Sequence, residues 1–177
     1  MRTEYLLNRE MQHVLAALTP SNAMVMRVSL HTGLRVGDVL ALKKDQLARR
    51  FWVSEQKTGK KRCVGLPDEI ISAVYEAAGR SVWAFPHRLD VTRHRTRQTV
   101  WKDVKRASRA FRLPQNVGPH SARKYYAVEL LRKYGDIDRV KKALNHKYES
   151  TTLIYAMADR LLEAKLEKRR ARSVKGA

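Results

Sequence analysis

His120 and Arg123 stand three residues apart at the start of a stretch that reads as helix, so both side chains fall on one face. The free N–H groups and positive dipole end of a helix start favour an anion. An imidazole, a guanidinium and that helix start together make a phosphate cradle. The plainer explanation of the pair taken alone is a surface His beside a surface Arg. Arg35 lies in Thr32-Gly33-Leu34-Arg35, where the glycine turns the chain between two expected helices. Asp38, one turn later, is placed to orient the guanidinium, and a fixed guanidinium fork grips two phosphate oxygens. An exposed i, i+3 ion pair of little energetic weight is the plainer explanation here. Lys57 and Lys60 sit on Lys57-Thr58-Gly59-Lys60, which reads as a tight turn. A lysine at such a tip can reach a nucleic-acid groove, or protonate a leaving oxygen if its pKa is lowered; a solvated turn lysine explains it equally simply. His146 follows Leu144-Asn145 just past an expected helix end, and Tyr155 comes shortly after it. Tyrosine attacks a phosphate only where the site stabilises the transition state. The chain has 7 tyrosines, so position alone does not choose Tyr155.

Charge supplies a partner for such groups. Lys and Arg total 37 against 17 Asp and Glu, a formal net charge of +20. An excess of this size strains a compact state by self-repulsion and is most simply neutralised by a polyanion. Nucleic acid is the first expectation and an acidic membrane surface a weaker second. The 177 residues suffice for one domain with a real core, and 44% hydrophobic content fits a folded chain. Cys63 is the only cysteine, which excludes an intramolecular disulfide and any cysteine-based zinc cluster. No apolar run is long enough to span a bilayer, and the N-terminus lacks the apolar stretch of a secretion signal. The expected location is the cytoplasm, alongside nucleic acid, with no membrane partner.

The elements that must position these residues read as follows. Asn8 is a candidate cap for a first helix whose face is Met11, Val14, Leu15 and Leu18. A second helix spans about 22–31, closed by Gly33, and a third about 36–42. Phe51-Trp52-Val53 and residues 62–66 read as strands of a hairpin around the Gly59 turn. Pro67 fits the first turn of a helix to about Ala78, ended by Gly79. Residues 82–85 are an apolar run, strand or buried loop. Basic amphipathic helix follows over 96–111, with Val100, Val104, Ala107 and Phe111 on one side. A loop leads to a strong helix over 120–134, and another runs from Asp136 to near Leu144. One or two turns at 151–156 and a helix over 158–172 complete the chain. The expected class is mainly α with a small antiparallel β-hairpin or three-stranded sheet (α+β).

In chain order the set is Arg35, Lys57, His120, Arg123, His146 and Tyr155, within the motifs TGLRVGDVLAL (32–42), QKTGKKR (56–62), HSARKYYAVELL (120–131) and ALNHKYESTTLIYA (143–156). Together, over roughly residues 16–157, they resemble the catalytic domain of the tyrosine recombinase or phage integrase family. Two positions depart from its pattern. Lys124 stands where the family often has a second His, and Asn145 where it often has Gly before the later His. Neither removes a catalytic group; Lys124 can add a phosphate contact, and Asn145 tolerates a left-handed turn.

The resemblance implies a site-specific recombinase that cuts and rejoins double-stranded DNA through a 3′-phosphotyrosyl link, for integration, excision or inversion of an element. Tyr155 would be the nucleophile, Arg35 and Arg123 the clamp on the non-bridging oxygens, and Lys57 the general acid for the 5′ oxygen. His120 would assist proton transfer and His146 would hydrogen-bond the phosphate. Lys60, Lys124, Arg93 and Arg97 are expected to add DNA contacts. No cofactor and no metal are expected, and the chain shows no Walker loop. Residues 1–158 would form the catalytic domain, and 159–177 a basic C-terminal helix or tail that is exchanged between protomers of a tetramer on DNA or packs on its own domain. The clamp domain that usually precedes this one is not apparent, as in an excised domain or a naturally short inversion recombinase. Three alternatives share parts of this reading: an inactive DNA-binding regulator on the same fold, a type IB topoisomerase-like strand transferase, and an RNA-binding structural protein explained by charge alone.

Overall fold

In the computed structural model the described residues are 3–145, so His146, Tyr155 and the elements expected over 151–156 and 158–172 lie outside them. The first helix, α1, is Asn8–Ala17, with Met11, Val14 and Leu15 buried as the spacing predicts. Asn8 is its first helical residue rather than its cap. The Leu7 N–H donates instead to the Glu10 carboxylate at 2.9 Å, so the acid one turn inside the helix does the capping. Helix α2 is Pro20–Thr32 and starts earlier than expected. Pro20 has no N–H to satisfy there. The Asp103 carboxylate accepts from the Thr19 N–H and hydroxyl, both at 2.9 Å, and from the Asn22 amide at 2.8 Å. This cap comes from a distant part of the chain, so local sequence does not announce it.

Gly33 ends α2 in the left-handed region, φ 64°. Helix α3, Val36–Leu40, is shorter than expected. The Leu42 carbonyl accepts from the Ala84 N–H at 2.9 Å and the Val82 carbonyl from the Lys44 N–H at 2.9 Å, which pulls the chain out of helix. These bonds surround an isolated bridge between Lys43 and Trp83, so residues 82–85 form no third strand. The sheet among the described residues is the two-stranded antiparallel pair β1, Arg50–Ser54, and β2, Lys61–Gly65. Phe51 faces Val64 and Val53 faces Arg62. Phe51, Val53, Arg62 and Val64 are buried, while Trp52 is 67% exposed on the opposite face, the period-2 alternation of a half-buried ribbon.

Helix α4 is Asp68–Ala78, with Pro67 at its cap, one residue before the helix rather than inside its first turn. Helix α5 is Arg97–Ala110, capped by the Thr96 hydroxyl, which accepts from the Thr99 N–H at 3.2 Å. Its Val100, Val104 and Ala107 are buried. Phe111 is exposed and stacks on His13 with ring centroids 4.9 Å apart. Helix α6 is His120–Tyr134 and α7 is Ile137–Ala143, whose Arg139 N–H is capped by Asp136 at 3.1 Å.

Contacts divide the chain into two units, residues 1–126 and 127–177. The first holds a core contributed by α1, α2, α3, the inner face of the hairpin and α5, including Val14, Val25, Val39, Phe51 and Val104. Each such side chain stabilises the fold by roughly 1.5–3 kcal/mol on full burial. In the second, Ala127, Val128, Val140 and Leu144 are buried. Among the described residues no helix is long and apolar enough to cross a membrane.

Candidate active site

The site begins at the turn after α2. Gly33 is required there twice over. Its φ is positive, and a Cβ would stand 2.3 Å from the Tyr126 ring. Three successive carbonyls of this turn are taken by side chains: Thr32 by Arg62 at 2.6 Å, Gly33 by Arg123 at 2.6 Å and Leu34 by Ser29 at 2.8 Å. The turn is therefore fixed from three directions, and Arg35 leaves it at the entry to α3.

An open cleft of about 480 Å³ lies against this turn. Arg35, Lys57, Arg97, Trp101 and His120 are among the residues that line it. Arg123 is not; it is 1% exposed, with Nη1 held on the Gly33 carbonyl. Four of the six residues singled out for chemistry are thus described. Arg35, Lys57 and His120 meet in the cleft, and Arg123 braces the turn beside them. His146 and Tyr155 lie outside the described residues.

Asp38 orients less directly than expected. Its Oδ2 is 4.0 Å from Arg35 Nη1, while its Oδ1 accepts from the Gln56 N–H at 2.9 Å and so ties α3 to the chain beside Lys57. The direct partner of Arg35 is Glu55, whose Oε2 is 2.6 Å from Nη1. Sequence reading missed Glu55. The signal was available in strand alternation: 51, 53 and 55 share a face, and an acid continuing a buried apolar face needs a partner. Arg62, also missed, is buried 3.5 Å from Glu55 Oε1. Burial pushes the Glu55 carboxyl up. The Arg35 hydrogen bond and charge, the Arg123 charge and the Thr58 hydroxyl outweigh that and hold it below the usual carboxylate range.

His120 is pushed down to about 4, first by desolvation within the recess and then by the charges of Arg123, Lys124, Arg35 and Lys57. The residue is exposed by area, and the surrounding cations add to the desolvation of its ring. Both act in one direction and leave the imidazole neutral at pH 7, able to accept a proton.

The positions expected to add contacts divide. Arg97 lines the cleft and packs over Gly37, where a Cβ would be 3.4 Å from its Cδ. Lys60 is exposed on the hairpin turn. The partly buried Lys124 donates to the Thr3 carbonyl. Arg93 lies in the exposed loop before α5, where its carbonyl accepts from the His87 N–H at 2.8 Å, and it does not line the cleft. Trp101 is a third residue that sequence reading missed; it is 50% exposed at the cleft, one turn after Arg97. Asn145 has φ 50°, the left-handed conformation expected where Gly often stands.

Comparison with known proteins gives three kinds of match. The family model described as the phage integrase family matches residues 4–161. Tyrosine recombinase XerD of Rhizobium meliloti is 33% identical over 134 residues, covering 70% of this chain and 43% of that protein. The chain spans about half the length of the curated relatives it matches, or less. Among solved structures, the lambda integrase catalytic core superposes with a TM-score of 0.70 at 19% identity, over 82% of this chain and 92% of that one. A lambda integrase tetramer bound to a Holliday junction superposes with a TM-score of 0.74 at 20% identity, over 88% of this chain and 48% of that one. These structures share the fold: mostly helical, with a small antiparallel sheet.

Proposed function

Because the chain belongs to the phage integrase family, we propose that it is the catalytic part of a tyrosine site-specific recombinase, which breaks and rejoins double-stranded DNA. The observation that carries this reading is the meeting of Arg35, Lys57 and His120 in one cleft, beside a turn braced by Arg123. Cations beside a neutral imidazole, with Arg35 and Lys57 in the cleft and Arg123 buried behind its turn, fit a phosphodiester that gains charge as it is attacked.

In this proposal Tyr155 Oη attacks the scissile phosphorus. A P–O bond to tyrosine forms and the P–O5′ bond breaks. Arg35 and Arg123 offset the charge that develops on the non-bridging oxygens. His120, neutral and hemmed by cations, takes the tyrosine proton. Lys57 gives a proton to the departing O5′, and His146 hydrogen-bonds the phosphate. A 5′-hydroxyl from the partner strand then reverses each transfer. One phosphodiester is exchanged for another at each step, so the bond energy is kept in the covalent link. The chain would work in the cytoplasm as a tetramer on two DNA sites, as the lambda integrase neighbour is seen on its junction. Residues 1–158 would hold the chemistry and 159–177 would reach a neighbouring protomer.

The test uses nicked suicide duplexes covering candidate attachment sites, incubated without metal or ATP and run on a denaturing gel. A protein–DNA adduct is expected, absent in Tyr155→Phe while that variant still binds DNA. An adduct that persists in Tyr155→Phe sinks the nucleophile assignment, with Tyr148 next in line. No adduct, with salt-sensitive binding intact, points to an inactive DNA-binding regulator. Relaxation of any supercoiled plasmid points to a topoisomerase-like transferase.

A further inference from the structure

Glu55 is fully buried, yet it is ringed by charge. Its Oε2 meets Arg35 Nη1 at 2.6 Å and the Thr58 hydroxyl at 3.0 Å. Its Oε1 stands 3.5 Å from Arg62 Nε and 3.7 Å from Arg123 Nη1. Three guanidiniums from three separate elements, the α2–α3 turn, β2 and α6, thus converge on one carboxylate. Without it they would repel one another at close range in a region poor in solvent, with only the Thr32 and Gly33 carbonyls left to hold Arg62 and Arg123.

The same residue closes the turn that carries Lys57. The Glu55 carbonyl accepts from the Gly59 N–H at 2.8 Å and the Thr58 N–H at 3.3 Å, and the Glu55 N–H donates to the Lys60 carbonyl at 3.0 Å. Lys57 therefore sits inside a loop whose ends meet on Glu55. Gly59, with φ 65°, gives that loop its left-handed corner. Glu55 engages only one terminal nitrogen of Arg35, whose side chain is 23% exposed. A guanidinium has five N–H donors, so others remain for a phosphate.

We propose that Glu55 is the positioning residue of the phosphate clamp, its carboxylate setting the Arg35–Arg123 spacing and fixing the Lys57 turn to it. This deepens the recombinase reading of the cleft and rests on it. Glu55 touches no reacting atom; it acts through the groups it holds.

The test compares wild type with Glu55→Gln and with Thr58→Val, which removes one hydrogen bond to the carboxylate from an exposed turn. One readout is the single-turnover rate of adduct formation on a nicked duplex at saturating protein. Loss of a preorganised electrostatic group predicts a fall of about 10²-fold for Glu55→Gln, with DNA affinity within about threefold of wild type. Thr58→Val should slow the rate several-fold with an unchanged melting temperature. The other readout needs no activity. A guanidinium held rigidly gives separate Nη resonances in nitrogen NMR, and these should be resolved for Arg35 and Arg123 in wild type and averaged in Glu55→Gln. Resolved signals in a folded Glu55→Gln, or adduct formation within threefold of wild type, overturn the proposal. If Glu55→Gln does not fold, Thr58→Val decides: a wild-type rate with wild-type arginine signals overturns it. If wild type itself forms no adduct, the recombinase reading fails, while the arginine signals still judge Glu55 separately.

Discussion

A histidine set among cations behaves unlike one at a surface. Desolvation comes first, then the charges of Arg123, Lys124, Arg35 and Lys57, and together they bring His120 to about 4. A titration followed on its imidazole resonances should therefore show a neutral ring throughout pH 5–8 in the free protein. A short DNA duplex should raise the midpoint, because a bound phosphate favours the imidazolium and offsets the nearby cations. A free-protein midpoint near 6.5 would mean that neither burial nor the surrounding cations shifts the ring. The sign for stability follows from linkage. An unfolded His120 takes its proton near 6.5 and the folded one near 4. Between those values acid favours the unfolded chain, so stability from this group falls as pH drops through that window.

At the scale of elements, the turn after α2 carries the sharpest mechanical demand. Gly33 and Gly59 share a left-handed backbone, but a Cβ at Gly33 strikes the Tyr126 ring while one at Gly59 meets nothing within 4 Å. Gly59→Ala should cost only the conformational strain, about 1–2 kcal/mol. Gly33→Ala should cost a further 1–3 kcal/mol from overpacking. Urea unfolding of the two variants checks this, and equal midpoints would mean that Tyr126 yields freely. Much of this scale was readable in advance. Periodicity and breakers place α1, α2, α5, α6 and the hairpin close to where they lie. Two of the misses come from long-range partners, which do not show in local sequence. Asp103 moves the start of α2 to Pro20, and the Ala84 N–H draws Leu42 out of α3. Residue types and order brought Arg35, Lys57 and His120 to one cleft. Arg62 went unnoticed because it reads alone as an ordinary charged residue on a strand, and Glu55, just past β1, showed only in the alternation that continues the buried face of 51 and 53.

For the whole molecule, the net charge of +20 is what the proposed function would set against DNA. If 6–10 phosphates are contacted, affinity should fall by about 10³–10⁵ between 50 and 200 mM salt. Fluorescence anisotropy across that range measures it, and a flat dependence would sink the polyanion reading. Lys60→Ala should lower the salt slope by about one while leaving the melting temperature unchanged. The bracing of the Gly33 turn also imposes an order in time. Its carbonyls wait for Arg62, 30 residues away in sequence, and for Arg123, 90 residues away. A chain still emerging from the ribosome cannot brace that turn until residue 123 is out. A nascent chain therefore carries positive charge before the turn that holds Arg35 is braced.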